Sequence, residues 1–277
     1  MCDVVRRVAV CTGLAVMLAL GAATAADAKG RKDRDALPDD LAVFVLGNTI
    51  FTLFHELGHA LVDKLEIPVL GREEDAVDAL AVLLMLPDEE DAVADEMVMA
   101  AADGHVMAYE QSGEEDEGAF WDEHSFDLQR YASIHCLVYG SDPEGWSELP
   151  EAVEMPEAQQ ENCPGIYAQT VVSWDRLLEN HYRADGTAGG GGIELRFRKP
   201  GGAIERRLLD LLKGSQALKD AVALVSDSVV LPAGFEVVFE RCGEINAYYY
   251  AESGNVSMCY ELVTYFAELY ENDSSEE

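Results

Sequence analysis

Residues 51–61 read Phe51-Thr52-Leu53-Phe54-His55-Glu56-Leu57-Gly58-His59-Ala60-Leu61, an apolar run that carries two imidazoles and one carboxylate. The run extends over about residues 41–65. It opens after Pro38-Asp39-Asp40, with acidic groups at the positive end of a helix dipole, and Pro68 stops it. On a helix of about 3.6 residues per turn, positions 55, 56 and 59 lie at about 0°, 100° and 40° around the axis. Both imidazoles therefore share one face and can grip a single ion, with Glu56 beside them as a base for an activated water. Zn2+ suits such ligands and makes water a nucleophile near neutral pH. In a helix this apolar the three polar groups need partners, because burying them bare is costly.

Working outward, a second helix is expected over residues 72–86, and it opens Glu73-Glu74-Asp75-Ala76-Val77-Asp78. Glu74 is the candidate third metal ligand, with Glu73 as the fallback. Asp78, one turn further on, is placed to accept the free ring N–H of His55 and fix its tautomer. Two neutral imidazoles and one carboxylate leave a fourth position open, as a catalytic site needs. A structural site, with that position closed by a further protein ligand, is the alternative.

Further helices are expected over residues 89–111, 126–139 and 166–181, with the acidic run Glu114-Glu115-Asp116-Glu117 as a loop. The character then changes. Gly189 to Gly192 reads as a hinge, since no Lys-Ser/Thr follows to make a phosphate loop. Residues 193–198 alternate like a strand, and a helix runs from about residue 203 into the 220s. Strands are expected at 235–240, 246–250 and 256–258, and a helix at 259–270. This predicts an α+β fold, mainly helical, with a small mixed or antiparallel sheet in the C-terminal part. The expected domain spans 39–270, helical over 39–185 and sheet-containing over 192–270, with a disordered acidic tail at 271–277.

The N-terminus reads as an export signal. Arg6 and Arg7 precede an apolar stretch that ends Ala23-Thr24-Ala25, with cleavage expected after Ala25 or, second, after Ala28. Residues 26–38 form a flexible leader, and no later stretch is expected to cross a bilayer. Removal of the signal leaves Cys136, Cys163, Cys242 and Cys259, an even number that suggests disulfides in an exported chain. The sequence-local pairs, Cys136–Cys163 and Cys242–Cys259, are favoured. The location expected is periplasmic or secreted. The formal net charge of −34 repels phosphate backbones and anionic lipid, which argues against nucleic-acid partners and stable membrane association.

The spelling His55-Glu-Leu-Gly-His59 followed by Glu74-x-x-x-Asp78 is similar to the gluzincin metallopeptidases, the thermolysin and neprilysin group. Gly71-Arg72-Glu73-Glu74-Asp75-Ala76-x-Asp78 resembles more closely a family of bacterial metallopeptidases catalogued as a domain of unknown function, DUF4344. Its further marks include Asp122-Glu123-His124, Asp127, Gln129-Arg130, Cys136, Cys242-Gly243 and Cys259-Tyr260-Glu261. Asn246-Ala247-Tyr248-Tyr249 is similar to an edge strand that holds the substrate backbone in neprilysin-like enzymes. The resemblance implies substrate contacts for Asn246, Ala247 and Tyr249. In those enzymes, however, the strand precedes the zinc helix, whereas here it follows by almost two hundred residues. His124 and Arg130, six apart, resemble a pair that donates to the substrate carbonyl and the oxyanion. Asp122 or Asp127 is placed to orient His124.

The expected activity is zinc-dependent peptide hydrolysis with Glu56 as general base, acting on a peptide or protein. A peptide-binding protein without catalysis and a zinc amidase acting on cell-wall peptides are the alternatives.

Overall fold

The computed structural model describes residues 37–87, 91–112, 119–184 and 190–274. The expected export signal, nearly all of the expected leader, the acidic run at 114–117 and the last three residues lie outside them. The elements follow in chain order: α1 (Asp39–Lys64), α2 (Glu73–Met85), α3 (Ala92–Ser112), a 3-10 turn (Ala119–Trp121), α4 (Asp127–Ser141), α5 (Leu149–Ala152) and α6 (Glu157–Leu178). Then come β1 (Ile193–Phe197), α7 (Ala203–Gly214), α8 (Gln216–Ser228), β2 (Phe235–Glu240), β3 (Ala247–Tyr250), β4 (Asn255–Cys259) and α9 (Tyr260–Asp273). The architecture is α+β, with the sheet confined to the C-terminal part.

α1 is the axis of the molecule. Helices α2, α3, α8 and α9 and strands β3 and β4 all pack on it, so its side chains are buried on almost every face. Among the described residues, α1 is also the helix long and apolar enough to cross a membrane by length and composition, contrary to the sequence expectation. It is instead enclosed by protein: 83% of its most apolar window is buried. Fully burying a Leu or Phe contributes about 1.5–3 kcal/mol, and Leu53, Phe54 and Leu57 supply such groups from the turns that hold the two histidines.

Two glycines set how closely the neighbours approach. A Cβ at Gly47 would strike the backbone carbonyl of Met97, and one at Gly58 would lie 2.7 Å from Cβ of Val77. Gly58 thus lets α2 rest directly on the turn between His55 and His59. Asn48, buried in α1, donates to the carbonyls of Phe44 at 3.0 Å and Ala100 at 2.8 Å, tying α1 to α3.

The sheet has the order β1-β2-β4-β3. β1/β2 and β2/β4 are parallel, and β3 is the antiparallel edge, with Ala247 opposite Met258 and Tyr249 opposite Val256. The edge strand folds back onto α1, where Tyr249 Oη donates to Asp63 at 2.6 Å.

Several boundaries differ from the sequence reading. The segment expected to be one helix from 203 into the 220s is two, α7 and α8. Ser215 breaks it and caps α8 by accepting from Leu218 N at 3.1 Å. α6 begins at Glu157 rather than 166 and carries Pro164 inside it. A proline there removes one helical hydrogen bond, and the Cys163 bridge to Cys136 in α4 pins the same turn. α9 runs on to Asp273, into the segment expected to be a disordered tail.

Both disulfides are present: Cys136–Cys163 joins α4 to α6, and Cys242–Cys259 braces the β3–β4 hairpin. They fit an oxidising compartment. Replacing Cys136 and Cys163 by Ser is expected to lower the unfolding free energy by about 3–4 kcal/mol, from the loop entropy of their 27-residue separation. A denaturant titration of the oxidised protein against the double variant checks this.

Candidate metal centre

The site is assembled by α1, by the first turn and a half of α2, and by the loop at 122–126. His55 and His59 leave α1 on one face, as the one-turn spacing requires. α2 enters at Gly58 and presents Glu73, Glu74 and Asp78 to them. The loop is stapled to the start of α2, because Arg72 Nη1 donates to the His124 carbonyl at 2.9 Å and Ser125 Oγ donates to Asp75 at 2.6 Å.

Each imidazole is held at Nδ1 by its own carboxylate. His55 Nδ1 donates to Asp78 at 2.6 Å, His59 Nδ1 to Glu73 at 2.8 Å and His124 Nδ1 to Asp122 at 3.1 Å. All three Nε2 atoms then face one oxygen, Glu74 Oε2, at 3.0, 3.2 and 3.1 Å respectively. The Nε2 atoms of His55 and His59 stand 3.2 Å apart.

A neutral imidazole whose Nδ1 carries the hydrogen presents only a lone pair at Nε2. Lone pairs of neutral rings converging on a carboxylate oxygen repel unless a cation lies among them. Four-coordinate zinc with bonds of about 2.0–2.1 Å keeps its ligand atoms about 3.3–3.4 Å apart. The spacings among His55, His59 and Glu74 are close to that, so these residues fit a zinc ion. His55, Glu74 and His124 also offer ligand atoms within 4.8 Å of one another. The two sets share the His55–Glu74 edge, and each of the three separations in the first is 3.2 Å or less.

Without a cation, protons take its place. Burial opposes charging of His55 and His59, but hydrogen bonds to the carboxylates outweigh it: His55 is raised and His59 reaches about 9. The hydrogen bond to Glu74 likewise raises His124. Burial works against ionisation of Glu74, yet its three histidine partners hold it well below the usual carboxylate range. Glu56 is 7% exposed and makes no side-chain hydrogen bond among the described residues. Burial pushes its carboxyl up, while the charges of His55 and His59 pull it down and lose.

Metal uptake must displace these protons. Zinc affinity is therefore expected to rise by about tenfold per pH unit for each proton released, approaching a plateau above the His59 pKa of about 9. The stability that protonated His59 gives the metal-free protein moves oppositely. It is complete below the ordinary imidazole value of 6.5 and is lost as pH rises through about 9. Chelator competition and melting of the metal-free protein across this window check both slopes.

Asp78 also takes a fork from Arg130, Nε to Oδ2 at 2.7 Å and Nη2 to Oδ1 at 2.8 Å. Arg130 thus stands behind Asp78, with Phe51 5.9 Å from its guanidinium carbon. Of the two residues offered as orienters of His124, Asp122 holds it, whereas Asp127 bonds His105 Nδ1 at 3.0 Å. Glu73, read from sequence as a fallback ligand, sits on His59 Nδ1 instead. Its adjacency to Glu74 was the available signal, since two successive helix positions face different sides of one imidazole pair. Asn246 is exposed, with its side chain accepting from Ala247 N at 2.9 Å. Ala247 is buried, and Tyr249 is bound to Asp63.

No curated protein and no solved structure matches the chain. A family model does, over residues 7–178 and 198–277, which include every residue of the centre just described. The chain belongs to the DUF4344 family, whose description reads "Putative metallopeptidase".

Proposed function

We propose that this protein is an exported zinc peptidase in which His55, His59 and Glu74 hold the ion and Glu56 is the general base. The observation that carries the reading is the meeting of two Nδ1-anchored imidazoles with one buried carboxylate oxygen, at separations of 3.0–3.2 Å. Zinc, when bound, supplies Lewis acidity that polarises a carbonyl and makes water nucleophilic near neutral pH.

The remaining work belongs to the chain. Glu56 accepts a proton from the attacking water as the oxygen bonds to the carbonyl carbon, and it returns that proton to the amine nitrogen as the C–N bond breaks. A buried carboxylate whose pKa is raised towards the working pH suits both halves of this exchange. Arg130 acts through Asp78, which orients His55. The β3 edge offers backbone groups to an extended peptide, a mode that gives affinity with little side-chain preference. Its packing on α1 supports a place for Asn246, Ala247 and Tyr249 along the substrate groove. A hollow lined by Arg72, Phe120, Ser125, Phe126 and Gln129 opens beside the His124 loop and can take a substrate side chain. The export signal expected from the sequence and the two disulfides support a periplasmic or secreted location.

The test is a mature chain loaded with one equivalent of zinc and incubated with a mixed peptide library. Zinc-dependent cleavage, abolished by a chelator and restored by zinc, is expected. A protein that holds zinc and cuts no peptide is instead a binding protein or an amidase of narrower substrate.

A further inference from the structure

His124 is prepared for a metal in the same way as His55 and His59. Its Nδ1 hydrogen goes to Asp122, as theirs go to Asp78 and Glu73. Its Nε2 lies 3.1 Å from Glu74 Oε2, the oxygen that the other two Nε2 atoms face. Its ring lies nearly parallel to that of His55, with centroids 5.9 Å apart and planes at 21°. A residue serving only to donate to a substrate carbonyl would need its Nε2 hydrogen directed at an empty place. Here Nε2 is directed at the shared ligand oxygen, and Nδ1 has already spent the neutral ring's single hydrogen.

We propose that His124 is a fourth protein ligand, closing the metal's remaining position in the resting protein and giving it up when substrate arrives. The inference rests on the metal site proposed above and adds a regulated state to it. The geometry permits the exchange. The His124 side chain is 43% exposed, against 6% for His55 and 15% for His59, and it projects from a loop rather than from a packed helix. The loop backbone is fixed to α2 through Arg72 and Ser125, so the ring can leave by rotation about its own side-chain bonds while its anchor stays.

The test is X-ray absorption of the zinc-loaded mature chain, with the electronic spectrum of the cobalt(II) form as a second readout. The wild type is expected to show three imidazoles, and His124→Ala two imidazoles plus water oxygen. Zinc affinity of His124→Ala, by chelator competition, should fall by more than the 10–100-fold that loss of an outer hydrogen bond brings. Asp122→Asn keeps the ring but weakens its Nδ1 anchor, and about a 10–100-fold loss is expected there. Two imidazoles in the wild type, or the same imidazole count and zinc affinity in wild type and His124→Ala, overturns the proposal. That result leaves the peptidase reading intact if zinc-dependent cleavage persists. Three imidazoles in a protein that cuts nothing would keep His124 as a ligand but overturn both the peptidase reading and the release on substrate arrival, leaving a closed structural site.

Discussion

Glu56→Gln is expected to bind one zinc and to cleave peptides about 10²–10⁴-fold more slowly than the wild type, the usual contribution of a positioned acid–base group. The side chains are nearly isosteric, so the packing of α1 at this buried position is preserved. An amide has no basic oxygen for a water proton and cannot carry one to the leaving nitrogen. Zinc should stay, because Glu56 is not among the groups that meet at Glu74 Oε2. Removing a buried charge with no hydrogen-bond partner among the described residues should not lower the melting temperature. Single-turnover cleavage rates beside zinc stoichiometry decide the matter. Equal rates would remove Glu56 from the reaction, and loss of zinc would make it part of the metal's support.

Glu74→Ala is expected to weaken zinc binding by more than 100-fold, whereas Glu73→Gln should cost about 10–100-fold. The two residues are adjacent glutamates one peptide bond apart, so a general effect of lost negative charge would make the variants alike. Geometry separates them. Glu74 is the common partner of three Nε2 atoms, while Glu73 pairs with the far nitrogen of His59. Chelator competition at one fixed pH measures both. Affinities within a few-fold of each other would mean that the carboxylates share the metal, and the assignment of Glu74 alone would fall.

The juxtaposition of His55, His59, Glu74 and Asp78 was legible in sequence because its parts are local. His55 and His59 are one helical turn apart, Glu74 and Asp78 likewise, and the intervening turn at Pro68 makes the two helices neighbours. The His55–Asp78 bond appears in the structure as read from that spacing. The cysteine pairs were legible for a similar reason, each closing a short loop. What depended on longer-range packing was less visible. Arg130 was read as a donor to substrate, but α4 delivers it to the rear of Asp78 from a separation of 52 residues. Asp122 and Asp127 flank His124 symmetrically enough in sequence that only the path of the loop chooses between them. The break at Ser215 was hidden because the apolar period continues across it. Tyr249 could not be placed on Asp63 from sequence, since the contact spans 186 residues.

The contact between Gly58 and Val77 means that the five-residue signature is not a portable device. Grafted onto a lone helix of another scaffold, the same five residues would lack the second helix that lies flush against the missing side chain. The smallest unit worth transplanting is the α1–α2 pair through Asp78, with the valine that fills the notch. A redesign that enlarges residue 58 would pry the acidic helix off its seat before it touched any ligand.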